Sequence, residues 1–212
     1  MSKRGLFITF EGVDGVGKTT QAKLLKDYLE NNCRYCSRHP WEPVLLTAEP
    51  GSTPLGEKIR QLLPDPSSRM GKRAETLLFA ADRAQHVAEV IKPALEEGRT
   101  VICDRCTDST LAYQAGGREL GMGDMEWLNE WATQGLQPDR TYLLGMNPMD
   151  RRLSGGIDRL EQESSEFQNR VRETFLDLMV LDGSLSRSQV EKLIRADVDR
   201  MLAERASADP IA

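Results

Sequence analysis

The sequence lacks an apolar run long enough to cross a membrane, and it does not begin with a basic segment followed by an apolar one. We therefore expect no membrane-spanning helix, no secretory leader and a cytoplasmic protein. Positive charge is also scarce, since 28 Lys and Arg face 33 Asp and Glu, for a net charge of -5. This balance argues against a nucleic-acid partner bound through a broad basic surface.

Cysteine and histidine are few, with four and two residues respectively. The cysteines form two Cys-x-x-Cys pairs, Cys33/Cys36 and Cys103/Cys106, which could together make a four-thiolate zinc site. The alternative is a structural role, because Cys103 ends an apolar run in which cysteine is usually a small core residue. The long separation of the two pairs also disfavours a compact zinc module, so we favour the structural interpretation.

Strand-like apolar runs alternate with helical patterns along the whole chain. This alternation predicts one α/β domain with a mostly parallel sheet and helices on both faces. The expected strands cover residues 6–10, 44–47, 100–103, 141–144 and, as a short last strand, 179–181. The expected helices cover residues 18–31, 55–63, 72–97, 108–115, 124–134, 161–178 and 188–203.

The long helix at 72–97 has an apolar face that recurs at alternating steps of four and three. We expect this face to bury core, a subunit contact, or both, and we expect Pro93 to kink or divide the helix. The face consists of Leu77, Ala81, Ala84, Ala88, Ile91 and Leu95.

Residues 12–19 fit the pattern Gly-x-x-x-x-Gly-Lys-Ser/Thr of a phosphate-binding P-loop, between a predicted strand and a predicted helix. A helix N-terminus presents backbone N–H groups and a favourable dipole to an anion. Lys18 would reach the outer phosphates of ATP, and the Thr19 hydroxyl would bind Mg²⁺. A chance glycine-rich turn is the disfavoured alternative. The predicted ATP-binding residues are Gly12, Val13, Asp14, Gly15, Val16, Gly17, Lys18, Thr19 and Thr20.

Charged residues in three other places could complete a phosphoryl-transfer site. Asp104 and Arg105 follow the third strand at its carboxyl end, where open α/β sheets bind ligands, and Asp104 could hold Mg²⁺ through water or orient an arginine. Asp14 either contacts the acceptor or satisfies its own turn. The basic, glycine-containing segment 150–159 is either a lid over phosphates or a solvated helix connection.

Five segments, taken in order, resemble motifs of the bacterial thymidylate kinases, and the resemblance runs from about Gly5 to Met201. Their ordered combination is far more specific than any single motif. The segments are Phe10 to Thr20, Glu49 to Gly56, Glu75 to His86, Asp104 to Gln114, and Asp158 to Glu163.

The resemblance implies a P-loop kinase fold with a five-stranded parallel sheet and a short lid at about 148–160. Residues at about 205–212 are expected to form a flexible tail, because chain ends are often poorly ordered. The resemblance implies an enzyme of nucleotide biosynthesis that uses Mg²⁺ and ATP to phosphorylate thymidine monophosphate (dTMP). It also implies a homodimer formed through helices that include residues 75–86.

Carried over by position, the resemblance assigns Phe79 to stacking on thymine, Arg83 to its edge and Arg105 to the acceptor phosphate. The full substrate-binding set is Asp14, Glu49, Phe79, Arg83, Arg105, Ser109, Thr110, Tyr113 and Gln114. The implied catalytic residues are Lys18, Asp14, Arg105, Arg152 and Arg159, and the implied metal ligands are Thr19 and Asp104.

The chain departs from the family pattern at Ala48, Cys106, Gly145 and Ser154, where the family usually has Arg, an aromatic or His, a nearby Asp, and often a lid arginine. Two alternatives therefore stay open, a related kinase with another acceptor and a catalytically weakened nucleotide-binding homologue. A GTPase-like switch is disfavoured, because the guanine-reading sequence Asn-Lys-x-Asp is missing.

Overall fold

The computed structural model describes residues 4–31, 44–65, 68–145, 160, 163–177 and 185–207. Its sheet has four parallel strands in the order β2-β3-β1-β4. The predicted parallel α/β class is confirmed. Four strands are described where five were expected, because the predicted strand at 179–181 lies outside the described residues. The strands are β1 Phe7–Glu11, β2 Leu45–Ala48, β3 Val101–Asp104 and β4 Arg140–Leu143.

The helices follow the predicted order closely. Two of them include π-helical turns, Val87–Ile91 between α3 and α4, and Leu111–Gly117 after α5. The first turn directly precedes α4, where Pro93 lacks the N–H that would continue the helical ladder. The helices are α1 Lys18–Asn31, α2 Pro54–Leu62, α3 Lys72–His86, α4 Lys92–Glu96, α5 Thr107–Thr110, α6 Met122–Thr133, α7 Ser165–Asp177 and α8 Arg187–Ser207.

Successive residues of β1 point to opposite faces of the sheet and feed two separate cores. Ile8 packs into a cluster with α1 and α8, whereas Phe7 packs with the π-helical turn after α3. Cys103 and Cys106 are free thiols buried in the second cluster, as the structural interpretation predicted. Cys33 and Cys36 lie outside the described residues.

The predicted apolar face of the long helix is only partly buried. Ile91 and Leu95 lie in the core, but Leu77 is 59% exposed and Ala81 and Ala88 are also exposed. The expectation of buried core is confirmed at Ile91 and Leu95, and the expected subunit contact stays a prediction for the exposed part of the face. The buried side of α3 carries polar residues instead, including Arg83, and a search for apolar periodicity cannot register them.

Helix α8 ends at Ser207, beyond its predicted end at residue 203. Residues 205–207 lie in the last turn of α8, and the rest of the predicted tail, residues 208–212, lies outside the described part. None of the helices in the described ranges is long and apolar enough to span a membrane.

Candidate functional site

The predicted phosphate loop connects β1 to α1, and its glycines adopt conformations that other residues avoid. Gly12, Gly15 and Gly17 have φ angles of 132°, 77° and 101°. A Cβ on Gly12 would lie 2.4 Å from the carbonyl oxygen of Leu144. The predicted ATP-binding residues, 12–20, therefore form one loop together with the first turn of α1.

Lys18 is buried inside this loop, where its Nζ donates to the carbonyl oxygens of Gly12 at 3.0 Å and Val13 at 2.9 Å. Burial and the neighbouring Arg105 lower the pKa of Lys18 to about 8, against the opposing effect of Asp14 and other carboxylates. A bound phosphate group would add negative charge beside this ammonium and so stabilise its protonated form.

The lowered pKa of Lys18 predicts a pH dependence. The ammonium is charged below its pKa, so kcat/KM for ATP should fall as pH rises through about 8. The measurement is kcat/KM for ATP across the range from about pH 7 to about pH 9.5. In Lys18→Arg, whose guanidinium stays protonated, the residual activity should lose this decline. An identical decline in the variant would assign it to another group.

Thr19 and Asp104 meet across the start of α1 and the end of β3, where the Thr19 hydroxyl donates to the Asp104 carboxylate. The pairing of β1 with β3 sets Asp104 opposite Phe10, beside the loop. A hydroxyl and a carboxylate oxygen are hard donors of the kind that Mg²⁺ takes. The two predicted metal ligands are therefore neighbours, and their chemistry fits the ion.

Arg105 lies between the loop and α5. Its Nη1 donates to Gly12 O at 3.1 Å and to Ser109 Oγ at 3.0 Å, and its Nη2 donates to Asp14 Oδ1 at 2.5 Å. Tyr113 places its ring against the guanidinium, 5.4 Å from the centroid, and donates its hydroxyl to Asp14 at 3.1 Å. Burial opposes ionisation of Asp14, but Arg105 and Lys18 outweigh it and lower its pKa to about 2.

Arg83 projects from α3 into a buried polar network and is 3% exposed. Its Nε donates to Glu49 at 2.9 Å, its Nη1 to Thr110 and Asn129 at 2.7 Å each, and its Nη2 to the Cys106 carbonyl at 2.7 Å. These four bonds fix the plane of the guanidinium.

The carboxylate of Glu49 bridges Arg83 and His86. One of its oxygens binds Arg83, and the other lies 3.0 Å from His86 Nδ1, while His86 Nε2 lies 2.7 Å from the Thr47 hydroxyl. Burial disfavours the ionised form of Glu49 and would raise its pKa. Arg83 and His86 stabilise the ionised form more strongly, so the pKa of Glu49 stays below its usual value. Both carboxylate oxygens are thus engaged by protein. His86 is fully buried and has a structural role in this network.

The remaining predicted substrate residues lie around Arg83 and Arg105. Phe79 is half-buried one turn before Arg83 on α3, and Tyr113 follows on the π-helical turn after α5. Gln114 is buried, with its amide 3.4 Å from Glu75. Arg152 and Arg159 lie outside the described residues, as does all of the predicted lid except Leu160.

Sequence reasoning missed two residues that hold the site together. Glu11 ends β1 inside the motif Phe10-Glu11-Gly12, but no role was assigned to it. Asn129 lies 46 positions after Arg83 on α6, and its amide also donates to the Thr107 carbonyl at 3.1 Å. Nothing in the local sequence marks Asn129, because its partners come from other elements.

Among the described residues, Glu49, His86 and Cys103 form one further cluster of metal-binding side chains, within 4.8 Å of one another. The first two are already bonded to each other and to Arg83 and Thr47. Burial raises the pKa of Cys103 well above its usual value, so its thiolate is disfavoured. We assign no metal to this cluster.

Comparison with known proteins gives one consistent family. The family described as "Thymidylate kinase" matches residues 10–199. A thymidylate kinase of Bifidobacterium longum subsp. infantis is 50% identical, covering 96% of this chain and 90% of its own length. One from Cutibacterium acnes is 46% identical, covering 93% and 98%. The crystal structure of thymidylate kinase from Ehrlichia chaffeensis matches with a TM-score of 0.73 at 32% identity, over 92% of this chain and 99% of that one.

Proposed function

Because this chain belongs to the thymidylate kinase family, we propose that it transfers the γ-phosphoryl group of ATP to dTMP, giving ADP and dTDP. We place the reaction in the cytoplasm, within a single domain that carries a lid at about 148–160. The observation that supports this most strongly is the convergence of Lys18, Arg105 and Arg83 at the carboxyl ends of β1 and β3. Phosphoryl transfer needs little from a protein beyond such positioned positive charge.

On the donor side, the loop and Lys18 would bind the ATP phosphates. Lys18 now donates to two loop carbonyl oxygens at 3.0 and 2.9 Å, and on ATP binding a phosphate would take over as its acceptor. Thr19 and Asp104 would hold Mg²⁺, which neutralises phosphate charge when bound. Arg152 and Arg159 would join from the lid.

On the acceptor side, Arg105 would bind the dTMP phosphate, with Asp14 and Tyr113 fixing its guanidinium. Arg83 would read the base. Its Nη2 donates once, to Cys106 O, so the second N–H of that nitrogen has no acceptor within the described part of the chain. A guanidinium can only donate, which favours a base with a carbonyl at C4, such as thymine, over cytosine with its amino group.

An acceptor panel tests this assignment. ADP release with Mg-ATP should be fastest with dTMP, slower with dUMP and at least about tenfold slower with dCMP, since an unmatched buried donor costs about 1–3 kcal/mol. Thymidine and dGMP complete the panel as a nucleoside and a purine control. Equal rates with dTMP and dCMP would contradict base selection by Arg83. ATP binding without turnover on any acceptor would indicate a catalytically weakened homologue.

We also propose a homodimer, supported by an exposed apolar surface on α3 and α6. Trp127 and Trp131 stack with centroids 6.3 Å apart while 63% and 67% exposed. Trp127 and the exposed Leu77 line one groove between the two helices. Large exposed apolar patches usually mark interaction sites. Here the patch includes part of the helix for which the family resemblance implies a subunit contact.

Trp131→Glu should therefore shift the protein from dimer to monomer, because a carboxylate in an apolar interface is desolvated without a partner. The measurement is molar mass by light scattering after size exclusion. Leu193→Glu is the matched control, since Leu193 is 47% exposed on α8 and lies outside this surface. A dimer that survives Trp131→Glu, or a wild-type monomer, would contradict the proposed interface.

A further inference from the structure

Glu11 is a fully buried carboxylate at the end of β1, with 0% exposure. One oxygen accepts from the backbone N–H of Cys106 at 2.7 Å, and the other accepts from the Ser109 hydroxyl at 2.5 Å. Both donors flank Arg105, one directly after it in the chain and the other on α5. The carboxylate therefore clamps the turn that carries Arg105.

Arg105 needs such a clamp because its backbone is in the left-handed region, with φ of 75°. Residues other than glycine avoid this region because it is sterically strained, and they stay there only when their surroundings hold them. The Arg105 N–H binds Phe10 O at 2.9 Å, which fixes the turn on one side. Glu11 fixes the other side through Cys106.

The side chain of Arg105 is held by the same carboxylate. Ser109 donates to Glu11 and, through its oxygen, accepts from Arg105 Nη1 at 3.0 Å. A glutamine would not reproduce this arrangement. A carboxamide has one oxygen, so it can accept from Cys106 but would present an N–H group to Ser109. Burial and the charge of Asp108 raise the pKa of Glu11 to about 7, so above that pH the ionised carboxylate accepts both bonds and faces the arginine with opposite charge.

We propose that Glu11 is a positioning residue for binding of the acceptor's phosphate, acting through the turn at Arg105 and the hydroxyl of Ser109. This inference rests on the proposed function, in which Arg105 holds the phosphate of dTMP. Glu11 itself touches no substrate. Replacing Glu11 should therefore weaken the contribution of the dTMP phosphate to the binding free energy. The contribution of the thymine base should stay unchanged.

The test compares binding of dTMP with binding of thymidine, which lacks the phosphate, in wild type and Glu11→Gln. We expect dTMP affinity to fall by about tenfold to a hundredfold, the range for loss of a charge-assisted contact, while thymidine affinity and KM for ATP stay within about twofold. In turnover, KM for dTMP should rise more than kcat falls. Equal losses for dTMP and thymidine, or no loss for either, would overturn the proposal.

Asp139→Asn is the matched control at the other end of β1. Its carboxylate accepts from the Phe7 N–H and from Arg4, each at 2.8 Å, so the same chemical change occurs outside the site. This control should leave the ratio of dTMP to thymidine affinity unchanged. If Asp139→Asn changed this ratio as much as Glu11→Gln does, the loss would come from destabilising β1 in general. That result would also overturn the proposal.

If Glu11→Gln does not fold, Glu11→Asp decides. It keeps the carboxylate but shortens the side chain by one methylene, which withdraws the oxygens from the Cys106 N–H and the Ser109 hydroxyl. A selective loss of dTMP affinity supports the proposal, and unchanged affinity overturns it. Wild-type protein that does not bind dTMP at all would instead remove the proposed function on which the inference rests.

Discussion

Replacing Lys18 with alanine should lower kcat by at least about 10²–10³-fold, the loss typical of removing one positioned charge that stabilises a transition state. Lys18 is the loop's own cation and is buried where its Nζ contacts two loop carbonyls. Its charge cannot be replaced by solvent in that position. The measurement is steady-state ADP release with saturating dTMP and Mg-ATP.

Lys26→Ala is the control for this prediction, since Lys26 lies on the same helix and pairs with Glu30 at 3.3 Å on the surface. Its kcat should stay within about twofold of wild type, because exposed ion pairs contribute little. A Lys18→Ala enzyme that retains more than about a tenth of wild-type kcat would contradict the role of Lys18 in transition-state stabilisation.

Replacing Arg83 with methionine should lower the free energy of unfolding by about 3–5 kcal/mol, the usual cost of removing one partner from a buried ion pair. Arg83 and Glu49 have side chains 3% and 4% exposed, and among the described residues the Glu49 carboxylate would keep only His86 as a partner. Denaturant unfolding measures this loss. Arg60→Met is the control, because Arg60 is exposed and its side chain donates to the Pro50 carbonyl at 3.1 Å, outside the buried network; its effect should stay below about 1 kcal/mol.

The same variant should change how stability depends on pH. In wild type the folded pKa of Glu49 is lowered, so its contribution is present above the unfolded value and is lost as pH falls through the folded value. Without Arg83, less positive charge offsets the effect of burial, so the pKa of Glu49 in the folded protein rises. Arg83→Met should then lose less stability than wild type on acidification below about pH 4.3, the ordinary glutamate value. Equal acid losses in both proteins would contradict this assignment.

The features that were predictable from the sequence are those encoded by neighbouring residues. The phosphate loop is contiguous, and its glycines, Lys18 and Thr19 have fixed spacing, so pattern alone placed them at one helix N-terminus. The parallel α/β class followed from alternating strand and helix patterns. Asp104 and Arg105 were placed at the carboxyl end of the sheet because they directly follow a buried strand.

The features that escaped prediction depend on contacts between distant segments. The network around Arg83 joins β2, α3, α5 and α6, and Asn129 enters it with no local signal. The apolar face of the long helix was predicted to bury core, a subunit contact, or both, because periodicity shows which residues share a face but does not show what covers that face. The clamp by Glu11 depends on a left-handed turn at Arg105, and arginine gives no sequence signal for that conformation.

The central claim is direct transfer of phosphate from ATP to dTMP, and labelled ATP tests it most directly. The enzyme is incubated with Mg²⁺, dTMP and ATP labelled at the γ-phosphate, and the products are separated. We predict that the label appears in dTDP in amounts equal to the ADP formed, and that Lys18→Ala prevents this. Label recovered only as inorganic phosphate, or retained in ATP, would contradict the account.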